Sequence, residues 1–453
     1  MKKISSSFRD PSGFMYEESG IYYRAINHTY REEYDALVAE SFFQKLMKTG
    51  MLIQHEEHEN VSQEFYKILK PTQLPMISYP YEWSFSQLKD AALLTLDIQD
   101  FSIKSGFTLK DANGFNIQFF EGKPIWIDSL SFERYRPETP WVAYGQFIRH
   151  FYAPLLLMTY VDLSLNQLLK IHLDGIPLKL VSDLLPAKTR FYPNILTHIH
   201  LHSKFEKRYA DSKISEKKEA KLSKSNLLAM IAHLREGINK LEFKKQSTDW
   251  SHYNGETSYS QESMDSKKTI LQKLCTGLQI KKVWDLGAND GTYSRIFSNQ
   301  GFSTVAFDLD PLAVEKNYLK TKGSQEKALL PLIMDLVNPS PAVGWGNIER
   351  MSLKERGPVD LVISLAILHH LCLSKNVTFE MLAKFLSDLT FQIIIEFIPK
   401  DDPLAQKLLA SRKDIFHDYS EEKFEETFLK YFLISHKERI AGSKRIIYLM
   451  RKG

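Results

Sequence analysis

The stretch Asp285–Thr292, which reads Asp-Leu-Gly-Ala-Asn-Asp-Gly-Thr, decides the fold of the C-terminal half. It follows the apolar segment Lys282–Trp284, which reads as a strand, and precedes a predicted helix at Tyr293–Asn299. Glycines in such a turn let a cofactor approach the backbone closely, because no Cβ intrudes. Asn289 stands where a further glycine is expected, and asparagine tolerates the left-handed conformation well. The stretch therefore predicts a cofactor-binding turn between a strand and a helix.

Acidic residues end the next two predicted strands. Thr304–Phe307 runs into Asp308, at the separation from the turn where a carboxylate binds a ribose diol. Asp310 is the alternative, and Asp308 is preferred because it directly ends the strand. Leu330–Met334 runs into Asp335. Because strands and helices alternate from residue 280 onward, we expect a parallel α/β sheet.

This ordered set resembles the class I S-adenosylmethionine-dependent methyltransferases over about residues 250–453. The resemblance implies a Rossmann-like fold, S-adenosylmethionine as cofactor and methyl transfer as the reaction. It also implies that Asp308 binds the ribose, that Asp335 lies by the adenine, and that the turn holds the methionine part through Asp285, Gly287, Asn289, Asp290 and Gly291. A nicotinamide-binding domain is the alternative. The absence of Gly-x-Gly-x-x-Gly and a predicted antiparallel hairpin, Phe432–Glu438 with Arg445–Met450, favour the methyl donor.

Candidate catalytic residues follow the fourth and fifth predicted strands. Val359–Leu365 leads to His369 and His370, and a neutral histidine can deprotonate a hydroxyl acceptor. Packing behind the site is the alternative role for these histidines. Glu396 lies at the carboxyl edge of the sheet, where open α/β sheets bind ligands, although it could also be a solvated loop carboxylate.

The acceptor class follows from a missing motif and from a further resemblance. No Asn/Asp-Pro-Pro-aromatic motif follows the fourth strand, which favours oxygen or carbon acceptors over an amino group. The chain is also similar to nodulation-type methyltransferases of bacteria, which implies a saccharide or small-molecule acceptor. Upstream of the first strand, the aromatic segment Trp250–Tyr259 is expected to cover the cofactor, with Tyr259 and Lys267 as contacts or as packing residues.

A second constellation lies in the N-terminal half. Asp111 and Asn116 have the spacing Asp-x4-Asn, and Asp128 follows a predicted hairpin around Gly122. Asn116 and Asp128 are equidistant from Gly122, so we expect them to lie opposite each other on adjacent strands. Their oxygen atoms could share a magnesium ion, and Asp111 could accept a proton from a hydroxyl.

This constellation resembles the catalytic core of protein kinases and aminoglycoside phosphotransferases, over about residues 8–202. The resemblance implies ATP and Mg as ligands, Asp111 as the catalytic residue, and Asn116 and Asp128 as metal ligands. The sequence departs from that family in lacking a glycine-rich phosphate loop and a strand lysine. Arg24 is the cation available there, and Glu33 or Glu40 could pair with it. We therefore expect a degenerate α+β kinase-like domain.

Length and composition set the domain plan. At 453 residues the chain is too long for one core, and we expect domains at 1–202 and 246–453 joined by a charged helical linker at 203–245. The lysine-rich part of this linker is read as a solvated helix, with a nucleic-acid contact as the alternative. The net charge of +4 neither demands nor excludes nucleic acid.

The remaining features concern location and alternative functions. Two cysteines, the absence of an apolar leader and the absence of a membrane-length apolar run predict a cytoplasmic protein. The main hypothesis is a methyltransferase that acts on an oxygen of a glycan or small molecule. Two alternatives stay open: a phosphotransferase fused to a methyltransferase, and a binding protein that senses the methyl donor.

Overall fold

A computed structural model describes residues 2–59, 64–204, 221–243, 260–410 and 414–453. The chain divides into two compact units. Unit 1 comprises Met1–Lys245 and Val343–Arg350, and unit 2 comprises Gln246–Ala342 and Met351–Gly453. The sequence did not predict that Val343–Arg350 belongs to the first unit.

The core of unit 1 is built on short antiparallel strands. Its five-stranded sheet has the order β1-β2-β3-β5-β4, and two further pairs, β6 with β9 and β7 with β8, follow along the chain. The strands are β1 Lys2–Lys3, β2 Gly13–Glu18, β3 Ile21–Ile26, β4 His55–His58, β5 Lys67–Pro71, β6 Phe107–Leu109, β7 Ile117–Phe120, β8 Lys123–Trp126 and β9 Phe132–Arg134.

The helices of unit 1 mostly follow the sheet. They are α1 Arg31–Ala39, α2 Phe42–Lys48, α3 Phe85–Lys104, α4 Tyr144–Phe147, α5 Ala153–Tyr160, α6 Leu168–Ile171, α7 Leu178–Leu184, α8 Pro193–Ile195 and α9 Lys224–Asn239. The longest, α3, begins at a capping box, where the Gln87 side chain accepts the Ser84 amide at 2.9 Å. Most of its buried side chains are apolar, and the polar ones are Gln87, Thr95, Gln99 and Ser102. This mixture of sheet and helix confirms the α+β class.

Two short segments of unit 1 adopt helical geometry other than the α-helix. A 3-10 turn at His28–Tyr30 precedes α1, and Thr29 Oγ1 donates to the Pro11 carbonyl. Leu196–Leu201, which contains His198 and His200, is a π-helix. His200 is held there by Ser182 at 2.8 Å and Thr189 at 2.9 Å.

The described part of the predicted linker packs within unit 1. Its helix α9 lies against α3, where Lys89 Nζ donates to the Asn239 and Leu241 carbonyls at 2.9 and 2.8 Å. Most of the lysine-rich segment, including Lys207, Lys213, Lys217 and Lys218, lies outside the described residues. Among the residues that are described, no helix is both long and apolar enough to span a membrane.

Unit 2 is a seven-stranded α/β sheet. Its strands are β10 Lys282–Leu286, β11 Ser303–Asp308, β12 Leu329–Ile333, β13 Val359–Ser364, β14 Thr390–Phe397, β15 Phe432–Arg439 and β16 Ile446–Lys452. Its helices are α10 Gln261–Thr276, α11 Ser294–Ser298, α12 Pro311–Gly323, α13 Leu353–Arg356, α14 Phe379–Leu389, α15 Pro403–Leu409 and α16 Glu421–Phe428.

The strand order in unit 2 is β12-β11-β10-β13-β14-β16-β15. The first five strands are parallel, and β16 and β15 add an antiparallel edge. The strand order therefore confirms the predicted sheet and its terminal hairpin. The order reverses between β10 and β13, and open α/β sheets bind ligands at the carboxyl ends of strands flanking such a reversal. In the Rossmann-like fold of unit 2, the turn after β10 lies at this reversal of strand order.

Candidate functional site

The turn after β10 has the left-handed backbone that its sequence predicts. Gly287, Asn289 and Gly291 have φ values of 82°, 50° and 74°. The Gly287 and Ala288 amides both donate to the Phe307 carbonyl at 2.9 Å, which ties the turn to β11. Asparagine therefore occupies a left-handed position, for which its short polar side chain suits it.

Close packing around Gly287 and Gly291 explains why glycine is needed at both positions, and the sequence did not predict this packing. A Cβ on Gly287 would lie 2.7 Å from the Ile367 side chain, which follows β13. A Cβ on Gly291 would lie 2.4 Å from the Asn317 amide and 2.7 Å from Arg295. The turn is thus packed against the protein itself, and its conformation is fixed before any ligand arrives.

Asp308 lies at the end of β11 and is held by backbone amides. Its Oδ2 accepts the Asn289 amide at 2.7 Å, and its Oδ1 accepts the Asp310 amide at 2.9 Å. Burial raises the pKa of Asp308 to about 6, against the lowering effect of these hydrogen bonds. Asp310 has a different role, since its carboxylate accepts the Leu312 amide at 2.9 Å and caps α12.

Asp285 points into the protein interior. Its Oδ2 accepts the Ser294 hydroxyl at 2.6 Å, which joins β10 to the start of α11. Burial raises the pKa of this carboxyl to about 6, while Ser294 and Lys267 act in the opposite direction. The buried carboxylate of Asp285 therefore fixes the turn by joining the end of β10 to the start of α11.

Asp290 and Asp335 cap local turns. Asp290 accepts the Thr292 amide at 3.1 Å and its hydroxyl at 2.7 Å. Asp335 follows β12, is half-buried, and accepts the Val337 amide at 2.8 Å. Asp335 follows β12, and Asp308 ends the neighbouring parallel strand β11. Both carboxylates therefore lie toward the same edge of the sheet.

Behind this edge lies a buried chain of alternating charges. Lys267 Nζ of α10 contacts Glu396 Oε2 at 2.7 Å, and Arg445 Nη1 lies 3.7 Å from Glu396 Oε1. Arg445 also donates to Asp402 at 2.7 and 3.0 Å. Burial lowers the pKa of Lys267, and the Glu396 carboxylate opposes that effect. Glu396 therefore has two cationic neighbours and is fully buried.

Sequence reasoning missed Arg445 and Asp402. A signal was present, because Arg445 directly precedes the apolar strand β16, and a cation at a buried strand end requires a partner. The Asp402 carboxylate, which pairs with Arg445, lies on the loop after β14 and is far from Arg445 in the sequence. Lys267 was identified, although as a cofactor contact or packing residue. Tyr259 and the aromatic segment before it lie outside the described residues.

His369 and His370 lie after β13 with their ring centroids 4.1 Å apart. His369 is fully buried, and neither of its ring nitrogens has a hydrogen-bond partner within the part of the chain that the structure describes. Burial, followed by the neighbouring His370, Arg445 and Lys267, lowers its pKa well below the usual range. His370 is half-buried, and burial lowers its pKa to about 4. Both imidazoles are therefore neutral at pH 7.

The structure of unit 1 corrects the predicted hairpin register. Glu121 and Gly122 form a two-residue turn with φ values of 49° and 75°, rather than a three-residue turn centred on Gly122. Ile117 pairs with Trp126, and the Ile127 amide donates to the Asn116 carbonyl at 2.9 Å. Asn116 therefore lies opposite Ile127 and not opposite Asp128, since the shorter turn shifts the register by one residue.

Asp111, Asn116 and Asp128 are nevertheless neighbours. Asn116 is hydrogen-bonded to the Asp111 carboxylate, and the negative charge of Asp128 contributes to the raised pKa of Asp111, after burial. Arg24 pairs with Asp128 at 3.0 Å rather than with Glu33 or Glu40. Glu33 instead accepts the Arg134 amide at 2.9 Å. In the described ranges no group of three or more His, Cys, Asp or Glu side chains could hold a metal ion.

Comparison with solved structures gives distant matches. The magnesium protoporphyrin IX methyltransferase of Synechocystis PCC 6803, with bound SAH, is 16% identical, covers 45% of this chain and 93% of that chain, and has a TM-score of 0.33. The bifunctional kinase-methyltransferase WbdD is also 16% identical, with 48% of this chain and 46% of that chain covered and a TM-score of 0.30. The fold assignment rests on the strand order of unit 2.

Comparison with curated proteins gives a full-length match. No protein-family model matches the sequence. The nodulation protein NoeA of Rhizobium meliloti (strain 1021) is 31% identical over 461 residues, which cover 99% of this chain and 96% of that protein. The similarity thus includes both units, and the chain belongs to the family of the nodulation protein NoeA.

Proposed function

We propose that unit 2 binds S-adenosylmethionine and transfers its methyl group to an oxygen of a saccharide or small hydroxylated molecule. The observation that carries this proposal is the left-handed turn after β10, at the reversal of strand order, with the Asp308 carboxylate beside it. Membership of a family of nodulation proteins agrees with the saccharide or small-molecule acceptor that the resemblance to nodulation-type methyltransferases implies.

The residues at this edge fit the cofactor. The backbone of Gly287–Gly291 is preformed, so binding costs little ordering of the chain. Asp308 has two carboxylate oxygens at the strand end, and an ionised carboxylate accepts hydrogen bonds from a ribose diol. Asp335 would lie by the adenine, and Asp285 would hold the turn in place through Ser294. When bound, S-adenosylmethionine would supply an electrophilic methyl group.

On the acceptor side we assign different roles to the two histidines. His370 is the more exposed of the two, so it would contact the acceptor hydroxyl and accept its proton. His369 would stack behind it and stay neutral, because burial lowers its pKa and the neighbouring His370, Arg445 and Lys267 act in the same direction. Catalysis would come mainly from holding the acceptor in line with the methyl group.

Glu396 receives a different role from the one that the sequence suggested. Its carboxylate is fully buried between Lys267 and Arg445, and a charged group with two cationic partners is a poor base. We propose that Glu396 is a charge anchor that joins α10, β14 and the segment before β16 behind the site. It would position the edge of the sheet without contacting the acceptor.

The cofactor site is tested by calorimetric titration of the full chain with S-adenosylmethionine. Asp308→Ala is expected to weaken binding at least about 100-fold, since two charge-assisted hydrogen bonds of about 1.5–3 kcal/mol each are lost. Asp310→Ala is the matched control, because its carboxylate caps α12. We expect it to cost about 1 kcal/mol of stability and to leave affinity within a few-fold of wild type. Equal losses in both variants would contradict the assignment of Asp308.

The reaction is tested separately, with a deuterated methyl donor and a panel of oligosaccharides analysed by mass spectrometry. The expected product gains one labelled methyl group at a hydroxyl, and His370→Ala is expected to lower kcat while leaving cofactor affinity unchanged. Methyl transfer only to amino groups would contradict the oxygen acceptor. Tight cofactor binding without transfer to any lysate fraction would favour the sensor alternative.

A further inference from the structure

The carboxylate cluster of unit 1 already contains a cation. Arg24, on the second strand of the hairpin β2–β3, lies with Nη1 3.0 Å from Asp128 Oδ1. Both side chains are only 12% exposed, so the pair is largely shielded from solvent. A guanidinium is always charged and presents several donors in a fixed geometry, which suits it to a partly buried carboxylate.

The remaining lone pairs of Asp128 are also used. Oδ1 accepts the Leu130 amide at 3.2 Å, and Oδ2 accepts a very short hydrogen bond from the Ser131 hydroxyl. A magnesium ion binds carboxylate oxygens with near-ideal octahedral geometry and needs an open face on them. Three donors around Asp128 leave little room for such a face.

The side-chain amide nitrogen of Asn116 is directed into the cluster. Its amide nitrogen Nδ2 lies 3.4 Å from Ser131 Oγ, and its side chain is hydrogen-bonded to Asp111. An amide nitrogen that donates hydrogen bonds is not a ligand for a hard cation, which takes oxygen. Asn116 therefore links Ser131 to Asp111 within one hydrogen-bonded cluster.

We propose that Arg24 is a resident cation that takes the place of a divalent metal ion in unit 1. The guanidinium balances the charge of Asp128, and Ser131 and Asn116 complete the network to Asp111. Unit 1 would accordingly hold its carboxylate cluster together without magnesium and would not bind Mg-ATP. This inference is independent of the function proposed for unit 2.

The test uses manganese as a paramagnetic probe and Trp126 as a local reporter. The Trp126 indole Nε1 donates to the Asp128 carbonyl at 2.8 Å, so its NMR signal would broaden if Mn²⁺ bound to the Asp128 carboxylate. The full chain would be labelled at tryptophan, and Trp126→Phe would identify the signal. In the wild type, we expect no broadening at millimolar Mn²⁺, with or without ATP.

Two substitutions at Arg24 make the proposal specific. Arg24→Met removes the cation and is expected to give Mn²⁺ binding at least about tenfold tighter than wild type, with broadening of the Trp126 signal. Arg24→Lys keeps a positive charge beside Asp128 and is expected to behave as wild type. Adding Asp128→Asn to Arg24→Met should abolish the gained binding.

Two results would overturn the proposal. Broadening of the Trp126 signal in the wild type would mean that metal binds despite Arg24. A folded Arg24→Met protein without any metal binding would mean that the cluster cannot accept a metal even when the cation is gone. If Arg24→Met does not fold, Arg24→Gln, which also removes the positive charge, takes its place in the same titration with the same two outcomes.

Discussion

Asp128 of unit 1 and Asp308 of unit 2 are two carboxylates near the ends of strands, and they are held in different ways. Asp128 has a guanidinium at 3.0 Å together with an amide and a hydroxyl. Among the described residues, the hydrogen-bond partners of Asp308 are backbone amides, those of Asn289 and Asp310 among them, and burial raises its pKa to about 6. A carboxylate with its own cation is satisfied, whereas one held by amide dipoles keeps its charge available to a ligand.

The comparison of Asp128 with Asp308 explains why an acidic residue after a strand does not by itself predict a ligand site. In both units an acidic residue follows a strand and was predicted to bind a ligand. The distinguishing residue in unit 1 is Arg24, which lies on a distant strand and reaches Asp128 only in the folded chain. We therefore expect a strand-end carboxylate with a cationic partner, such as Asp128, to be less available to a ligand than Asp308.

The largest expected effect concerns a carboxylate with cationic partners in unit 2. Glu396→Gln leaves the buried Lys267 ammonium without its counter-ion, so we expect a loss of about 3–5 kcal/mol in the free energy of unfolding, measured by urea denaturation. Asp308→Asn is the matched control and is expected to change stability by at most about 1 kcal/mol, because no ion pair of Asp308 is found within the described residues. Similar losses in the free energy of unfolding of the two variants would contradict the difference between Glu396 and Asp308.

A smaller effect is expected at the left-handed glycines of the two units. Gly291→Ala combines a φ of 74° with a contact of 2.4 Å to Asn317, so we expect it to cost about 2–4 kcal/mol. Gly20→Ala, in the β2–β3 turn of unit 1, has a similar φ of 79°, but apart from its chain neighbours no atom of the described residues lies within 4 Å of the new Cβ. It should cost only about 1 kcal/mol by the same denaturation measurement. Equal costs would show that packing around the turn of unit 2 is unimportant.

The smallest expected effect is a pH dependence of cofactor affinity. In the proposed site the ionised form of Asp308 would accept the ribose hydrogen bonds. Because burial raises the pKa of Asp308 to about 6, we expect affinity to be retained above pH 6 and lost as the pH falls. Between pH 7 and pH 5 we expect about tenfold weaker binding, equivalent to about 1.4 kcal/mol. Calorimetric titrations at both pH values measure this change.

The control for this pH effect is Asp308→Asn, whose weaker affinity should not vary over the same range. Protonation does not weaken the fold through Asp308, because a carboxyl whose pKa is raised on folding binds more protons in the native state. Its contribution to stability therefore increases as the pH falls from about 6 to about 4. A wild-type affinity that is constant from pH 7 to pH 5 would contradict the role of Asp308.

The sequence was most informative where local chemistry determines the structure. The strands and turns of unit 2 follow from apolar runs ended by Gly, Asn and Asp, and the structure confirms them with small shifts in their limits. The choice of Asp308 over Asp310 for the ribose stays a prediction, although the capping role of Asp310 agrees with it.

The sequence was least informative where contacts are long-range. The pairs Lys267–Glu396, Arg445–Asp402 and Arg24–Asp128 each join residues that are far apart in the chain, and no local pattern specifies a partner. The register predicted for the hairpin at Glu121–Gly122 was wrong for a different reason. One residue more or less in a turn changes which side chains oppose each other, and both turn lengths are compatible with the same sequence.

The segment Val343–Arg350 has a consequence for how the chain acquires its structure during synthesis. Unit 1 includes these residues, in which Glu349 pairs with Arg9 at 2.8 Å and the Arg350 guanidinium lies 4.3 Å from the Phe115 ring centroid. A ribosome makes the chain from its N-terminus, and N-terminal domains generally fold first. Unit 1 must wait for residue 350 to emerge before its contacts are complete, by which time three strands of unit 2 have already been translated.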